Sequence, residues 1–323
     1  MIGILLINLG TPEAPTESAV KNYLNEFLSD PYVITLPKML RDFLVQKIIL
    51  PTRPKKSAIA YQKIWTSTGS PLLTNSMALQ KALSEKMGEE YCVQIGMRYG
   101  NPTITSALRA LKNCTKIIIL PLFPQFSNAT SQSAIDFALA AAKKNNLTAE
   151  IKIIRDFYNQ PAYTNSMTKI IREAFEKNPT DFLLLSYHGL PKKQDKDNLY
   201  RDQCFATSQL IINQLNWPTE KYQTSFQSRL GLTPWIQPYT DRILLDLQKK
   251  GITSLSVACP SFVVDCVETL EEINIRLREQ WMRLGGKSFH CIPCLNANAA
   301  WVGRLSDWLM SMSGNNESEV CGI

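Results

Sequence analysis

The sequence predicts an α/β protein built from two similar, doubly wound parallel-sheet halves with a cleft between them. Three observations predict it. The chain has 323 residues, 45% of them hydrophobic and 20% charged, enough to bury a sizeable core. Short β-rich apolar runs alternate with longer amphipathic stretches, the signature of βα units. Those runs fall into two sets that echo each other. Gly3 to Pro12 resembles Phe182 to Pro191, Gly96 to Pro102 answers Ser228 to Pro234, and Ile119 to Pro124 answers Val257 to Phe262. The domain reading that follows is a first half over 1–155 and a second over 156–296, with a C-terminal helix over 297–323 packing back on the first.

Ile2–Asn8 is apolar, with no basic residue ahead of it and no small-residue cleavage site after it, so it reads as a first buried strand and not as a secretory leader. Next comes a proline-bounded stretch, Leu36 to Pro51, in which Met39, Leu40, Phe43, Leu44, Lys47 and Ile48 recur at helical spacing. Such a stripe packs on a core, lies on a membrane surface or lines an apolar ligand mouth, and spacing alone favours the core. Further strands are predicted at Cys92–Arg98, Ile117–Pro121 and Glu150–Ile154 in the first half. The second half supplies Phe182–His188, Thr224–Ser228, Ser254–Pro260 and Ser288–Pro293. The apolar run from Ile117 to Phe126 stops far short of the roughly 20 residues that span a bilayer. The expected location is cytoplasmic, at most on a membrane surface.

A net charge of +7 suits an anionic small molecule or an anionic surface. The basic residues form no aromatic-interleaved stripe, so nucleic acid is not an expected partner. The chain contains no G-x-G-x-x-G after the first strand, no G-x-x-x-x-G-K-[ST], no G-x-S-x-G and no H-E-x-x-H. Nicotinamide enzymes, P-loop NTPases, serine hydrolases and zincins thereby lose their motifs. Eight scattered cysteines form no disulfide framework, and Cys291-Ile-Pro-Cys294 is a single ligand-like pair without a second. Both cysteines read as ordinary buried thiols.

His188 closes an apolar strand in Ser186-Tyr-His-Gly-Leu-Pro191, where a side chain reaches the cleft at the strand's carboxyl end. Imidazole there takes a proton near neutral pH, binds a divalent cation or is simply a hydrogen-bonded structural group. His290, inside a strand-like run, reads as structural. In Val264-Asp-Cys-Val-Glu-Thr-Leu-Glu-Glu-Ile273, the spacing of Asp265, Glu268 and Glu272 puts three carboxylates on one helix face. Turned inward they attract a divalent cation or relay protons; turned outward they are a solvated face. Hard oxygens with one imidazole suit Fe²⁺, Co²⁺ or Mn²⁺ held loosely. Leu9, Tyr61, Trp65, Tyr99, Phe123, Phe126, Tyr187 and Trp235 stand near strand ends, a lining for a large flat ligand or simply core. Arg98 and Arg229 hold matching places in the two halves and could meet ligand carboxylates.

Seven motifs in register, from Met1 to about Trp308, resemble the ferrochelatase family. They are Ile7-Asn-Leu-Gly-Thr-Pro12; Tyr61-Gln-Lys-Ile64 with Gly69-Ser-Pro71; Met97 to Pro102; Leu120 to Ser127; Ser186 to Pro191; Phe226 to Arg229 with Pro234-Trp235; and Phe262 to Glu272. The resemblance implies a chelatase-like, Rossmann-like fold and insertion of Fe²⁺ into protoporphyrin IX to give protohaem. By position it implies His188 and Glu268 as the catalytic and metal-contacting pair, with Asp265 and Glu272 extending the metal side. Leu9, Tyr61, Arg98, Tyr99, Gln227, Ser228 and Trp235 take porphyrin-facing places. It turns Leu36 to Pro51 into a porphyrin and bilayer contact, which allows peripheral association with the inner face of the cytoplasmic membrane. Leu9 stands where relatives using coproporphyrin carry Tyr. No permanent cofactor is implied: Asn128 stands at the first position of the [2Fe–2S] cysteines found in some relatives, and only Cys321 lies in the tail. A monomer is expected. The competing readings are a Co²⁺ chelatase of the cobalamin or sirohaem routes and a porphyrin carrier without turnover.

Overall fold

The computed structural model describes residues 1–231 and 233–313. Its first half runs β1 (Ile2–Gly10), α1 (Glu17–Leu28), α2 (Lys38–Phe43) continuing into a π-helical turn (Leu44–Ile49), α3 (Arg53–Ile64), α4 (Pro71–Met87), β2 (Tyr91–Tyr99), α5 (Ile104–Ala110), β3 (Lys116–Pro121), α6 (Ser133–Lys144) and β4 (Glu150–Ile153). After α7 (Pro161–Lys177), the second half runs β5 (Phe182–His188), α8 (Leu199–Leu215), β6 (Tyr222–Gln227), α9 (Thr240–Lys249) and β7 (Ser254–Ala258). It continues with a π-helix (Glu268–Leu277), α10 (Arg278–Arg283), β8 (Ser288–Cys291) and α11 (Ala299–Ser311).

The two sheets are parallel throughout and have the same connectivity, β2-β1-β3-β4 and β6-β5-β7-β8. All eight predicted strands form. Central strands are apolar on both faces because helices cover both. On β1, Ile4 and Leu6 face one core while Leu5 and Ile7 face another, and all four are fully buried. On β5, Leu183 and Leu185 join the same core as Ile4 and Leu6, while Phe182 and Leu184 face the opposite way. The two sheets thus share one central core, which also takes in α4, α7 and α11 through Leu79, Tyr163 and Trp301. Residues 314–323 of the predicted C-terminal helical segment lie outside the described residues.

Each half's first strand ends in a glycine that lets the chain pass close to its neighbour. A Cβ on Gly10, at φ +113°, would sit 1.8 Å from the Tyr99 carbonyl oxygen, and one on Gly189 would sit 2.6 Å from that of Gln227. Leu9 and His188, the residues before them, therefore occupy corresponding strand ends. The stripe over Leu36 to Pro51 does not pack on the core: Met39 is 85% exposed, and Leu40, Phe43 and Ile48 are each more than half exposed. Its inner side is held by Val45, Leu50 and the buried Arg41.

Candidate active site

Backbone hydrogen bonds fix His188 at the end of β5. Its N–H donates to Ser261 Oγ at 2.9 Å and its carbonyl accepts from Tyr200 Oη at 2.7 Å. The imidazole Nδ1 lies 2.7 Å from the Gly189 carbonyl oxygen. A carbonyl only accepts, so Nδ1 carries a proton, and in the neutral ring the lone pair is on Nε2. The half-buried ring meets Phe262 edge-on at 6.2 Å.

The carboxylates are arranged differently from the sequence expectation. Asp265 precedes the helix and does not share its face. Asp265 is buried, and its oxygens accept from Thr269 Oγ1 (2.9 Å), Asn296 Nδ2 (2.7 Å) and Cys294 N (3.3 Å). That pairing makes it a brace between the helix start and the loop after β8. From Glu268 the chain is π-helical; with i→i+5 bonding each turn takes more than four residues, which aligns Glu268 with Glu272.

Glu272 accepts from Ser228 N at 2.8 Å and Ser228 Oγ at 2.6 Å. Ser228, at φ +64°, turns the end of β6 so that both donors face the carboxylate. Burial raises the Glu272 carboxyl above its ordinary range, against the Ser228 hydrogen bonds and the charges of Arg276 and His188. The Glu268 carbonyl accepts from Gln227 Nε2 at 2.9 Å, while its carboxylate field reaches Tyr23, Tyr61, Arg53 and the Cys266 thiol. Burial lowers the Arg53 pKa and Glu268 opposes the shift. Arg53 and Cys266 were not singled out in the sequence, because nothing local to either signals proximity to Glu268.

The wall opposite these carboxylates is apolar. Leu9, Tyr23, Tyr61, Trp65 and Tyr99 of the first half form one cluster with Val267, which caps the π-helix, and with Leu270 and Ile275 within it. Trp235 flanks the His188 turn, 3.3 Å from the position of a Cβ on Gly189, with its Nε1 donating to the Leu230 carbonyl. Several expected ligand contacts are otherwise engaged. Arg98 pairs with the buried Asp30 and donates to Ser133 Oγ at 2.8 Å, and Tyr99 Oη donates to Asp30 at 2.8 Å. Arg229 pairs with Asp241 at 2.9 Å. Gln227 is buried, with its amide shared between Ser186 Oγ and Glu268. Each of these four side chains has an internal partner. Tyr187 is core, donating to or accepting from Ser208, and Phe126 is buried beneath Arg155.

Cys291 and Cys294 are inert thiols, burial pushing Cys291 up to about 12 and raising Cys294. Among the described residues no group of three His, Cys, Asp or Glu side chains forms a metal cage. Cys321 lies outside them. A cavity of about 890 Å³ opens between α7, α10 and β8, where it is lined by Lys177, Arg278 and His290. It contains neither His188 nor the two glutamates.

A family model described as Ferrochelatase matches residues 1–313. The ferrochelatase of Coxiella burnetii (strain Dugway 5J108-111) is 46% identical over 94% of this chain and 92% of its own length. That of Legionella pneumophila (strain Paris) is 47% identical over 93% and 96%. Among solved structures, SirB from Bacillus subtilis with Fe³⁺ superposes with a TM-score of 0.59 at 11% identity, covering 98% of each chain. The sirohydrochlorin chelatase SirB in complex with cobalt gives 0.56, also at 11%. These two likenesses are of fold.

Proposed function

The chain belongs to the ferrochelatase family, enzymes that insert iron into a porphyrin in haem biosynthesis, and from that membership we propose a substrate, protoporphyrin IX, and a division of labour in the cleft. The observation that supports it is that His188, with Nδ1 held by the Gly189 carbonyl, lies within electrostatic reach of Glu272, which shares the π-helix with Glu268 beside an apolar cluster. Insertion exchanges two pyrrole N–H protons for one Fe²⁺, so the slot needs a base and a group that hands over the cation. In this reading the porphyrin lies against Leu9, Tyr61 and Trp65. His188 Nε2 takes a pyrrole proton, and Nδ1–H, held by the Gly189 carbonyl, stabilises the imidazolium that forms. Glu268 delivers Fe²⁺ as substrate, and the ionised Glu272 carboxylate takes the second pyrrole proton and passes it along the same helix face.

The choice of protoporphyrin IX rests on the apolar surroundings. Leu9 offers a hydrocarbon side chain at the end of β1, and the basic groups that could hold many carboxylates, Arg98 and Arg229, are paired internally. The exposed stripe of Met39, Leu40, Phe43 and Ile48 supports contact with a bilayer in which an apolar porphyrin dissolves. No helix among the described residues is long and apolar enough to cross a membrane. Anaerobic insertion with protoporphyrin IX and coproporphyrin III as alternative substrates tests the reading. We expect kcat/KM to favour protoporphyrin IX at least about tenfold, a difference of about 1.4 kcal/mol. Equal or reversed preference would contradict it.

A further inference from the structure

We propose that Lys63, which lies outside the reacting groups, is a positioning residue that sets the width of the cleft through its ion pair with Glu271. The proposal rests on the reading of the cleft as the porphyrin slot. The Glu271 side chain is only 6% exposed, and a carboxylate so buried must be paired. Its Oε2 takes Arg276 Nε from the same helix at 2.7 Å, and its Oε1 takes Lys63 Nζ from α3 at 3.2 Å. Among the described residues this is the one salt bridge that joins the two halves. It fastens α3, which carries Tyr61, to the π-helix that carries Glu268 and Glu272. Arg276 also stands 3.9 Å from Glu272, so the bridge reaches the working carboxyl through one guanidinium.

A further polar tie between the two halves runs from Gln194 Nε2 to the Val33 carbonyl at 3.0 Å. Both ties involve partly exposed groups, Lys63 being 42% exposed, so they hold the mouth without sealing it. Without the ammonium of Lys63, Glu271 keeps Arg276 and the fold keeps its buried pair, but α3 loses its charged hold on the opposite wall. A flat ligand gripped on both faces then loses contact on one.

The test is a titration of protoporphyrin IX into wild type, Lys63→Met, Lys63→Arg, Glu271→Gln and the Met/Gln double variant, with steady-state insertion in parallel. We expect Lys63→Met to raise Kd and KM about three- to tenfold with kcat within about twofold, and Lys63→Arg to restore both. Lys63→Met should add nothing to Glu271→Gln. Raising ionic strength from about 0.05 to about 0.5 M should weaken wild type toward Lys63→Met and leave that variant unchanged. Unaltered binding in Lys63→Met, or a fall in kcat at constant KM, would overturn the latch while leaving the cleft reading intact. Wild type that binds no protoporphyrin IX would overturn both.

Discussion

Glu272 is buried against Ser228, Arg276 and the field of His188, and the loss of hydration outweighs those favourable contacts, so its carboxyl titrates above the ordinary carboxylate range. A folded-state pKa above the unfolded value means that the folded protein binds the proton more tightly. The residue's contribution to stability is therefore fully present below the unfolded value of about 4.3 and is lost as pH rises through the raised folded one. Glu272→Gln removes a charge that the fold disfavours. Thermal melts should show the variant equal to or a few degrees above wild type at pH 8, the advantage vanishing near pH 4, while iron insertion falls. A variant markedly less stable at pH 8 would show that the ionised carboxylate holds the fold together. Residue identity at this site was partly legible. His188 and the glutamates stood out because a strand end and a helix period place them. The pairing of Arg98 was not legible because its partner Asp30 lies far back in the chain, and no local pattern reveals a buried pair of that kind. The surroundings of Asp265 were not legible because two of the donors that hold it come from the loop after β8.

At the scale of elements, periodicity gave the strands and left helix faces ambiguous. Counting Asp265, Glu268 and Glu272 as one α-helical face presumed that the helix includes Asp265. The π-winding from Glu268 instead keeps Glu268 and Glu272 together and turns Glu271 into the interface with Lys63. The same ambiguity governs α2 and its π-helical continuation. An apolar stripe edged by charge has one pattern whether it meets a core, a ligand or a bilayer, so only the structure could show that Met39 and Phe43 face outward. Their exposure makes the element's role testable apart from folding. Met39→Ser with Phe43→Ser should change stability by less than about 0.5 kcal/mol in urea unfolding. It should also abolish sedimentation with vesicles containing anionic lipid, to which wild type is expected to bind. Retained sedimentation would remove the membrane role of this segment.

In the whole molecule, the two halves repeat one strand order, and the repeat places Leu9 and His188 at matching strand ends on either side of the cleft. The duplication was legible because the strand-end motifs Gly-x-Pro and the apolar runs before them survive in both halves. The central core shared by both sheets was not, since Ile4 and Leu183 carry no sign that they belong to one cluster. Duplication followed by divergence also explains the asymmetry of the site. One strand end keeps an apolar side chain, Leu9, and the other carries an imidazole, His188, the proposed base. The central claim is that His188 and Glu268 perform metal insertion and are not needed to hold the porphyrin. Anaerobic Fe²⁺ insertion into protoporphyrin IX, followed by absorbance for wild type, His188→Ala and Glu268→Gln beside porphyrin titrations of the same samples, tests it most directly. The account predicts kcat lower by about 10²-fold or more in both variants, with porphyrin affinity within about threefold of wild type. Near wild-type turnover in either variant would contradict it.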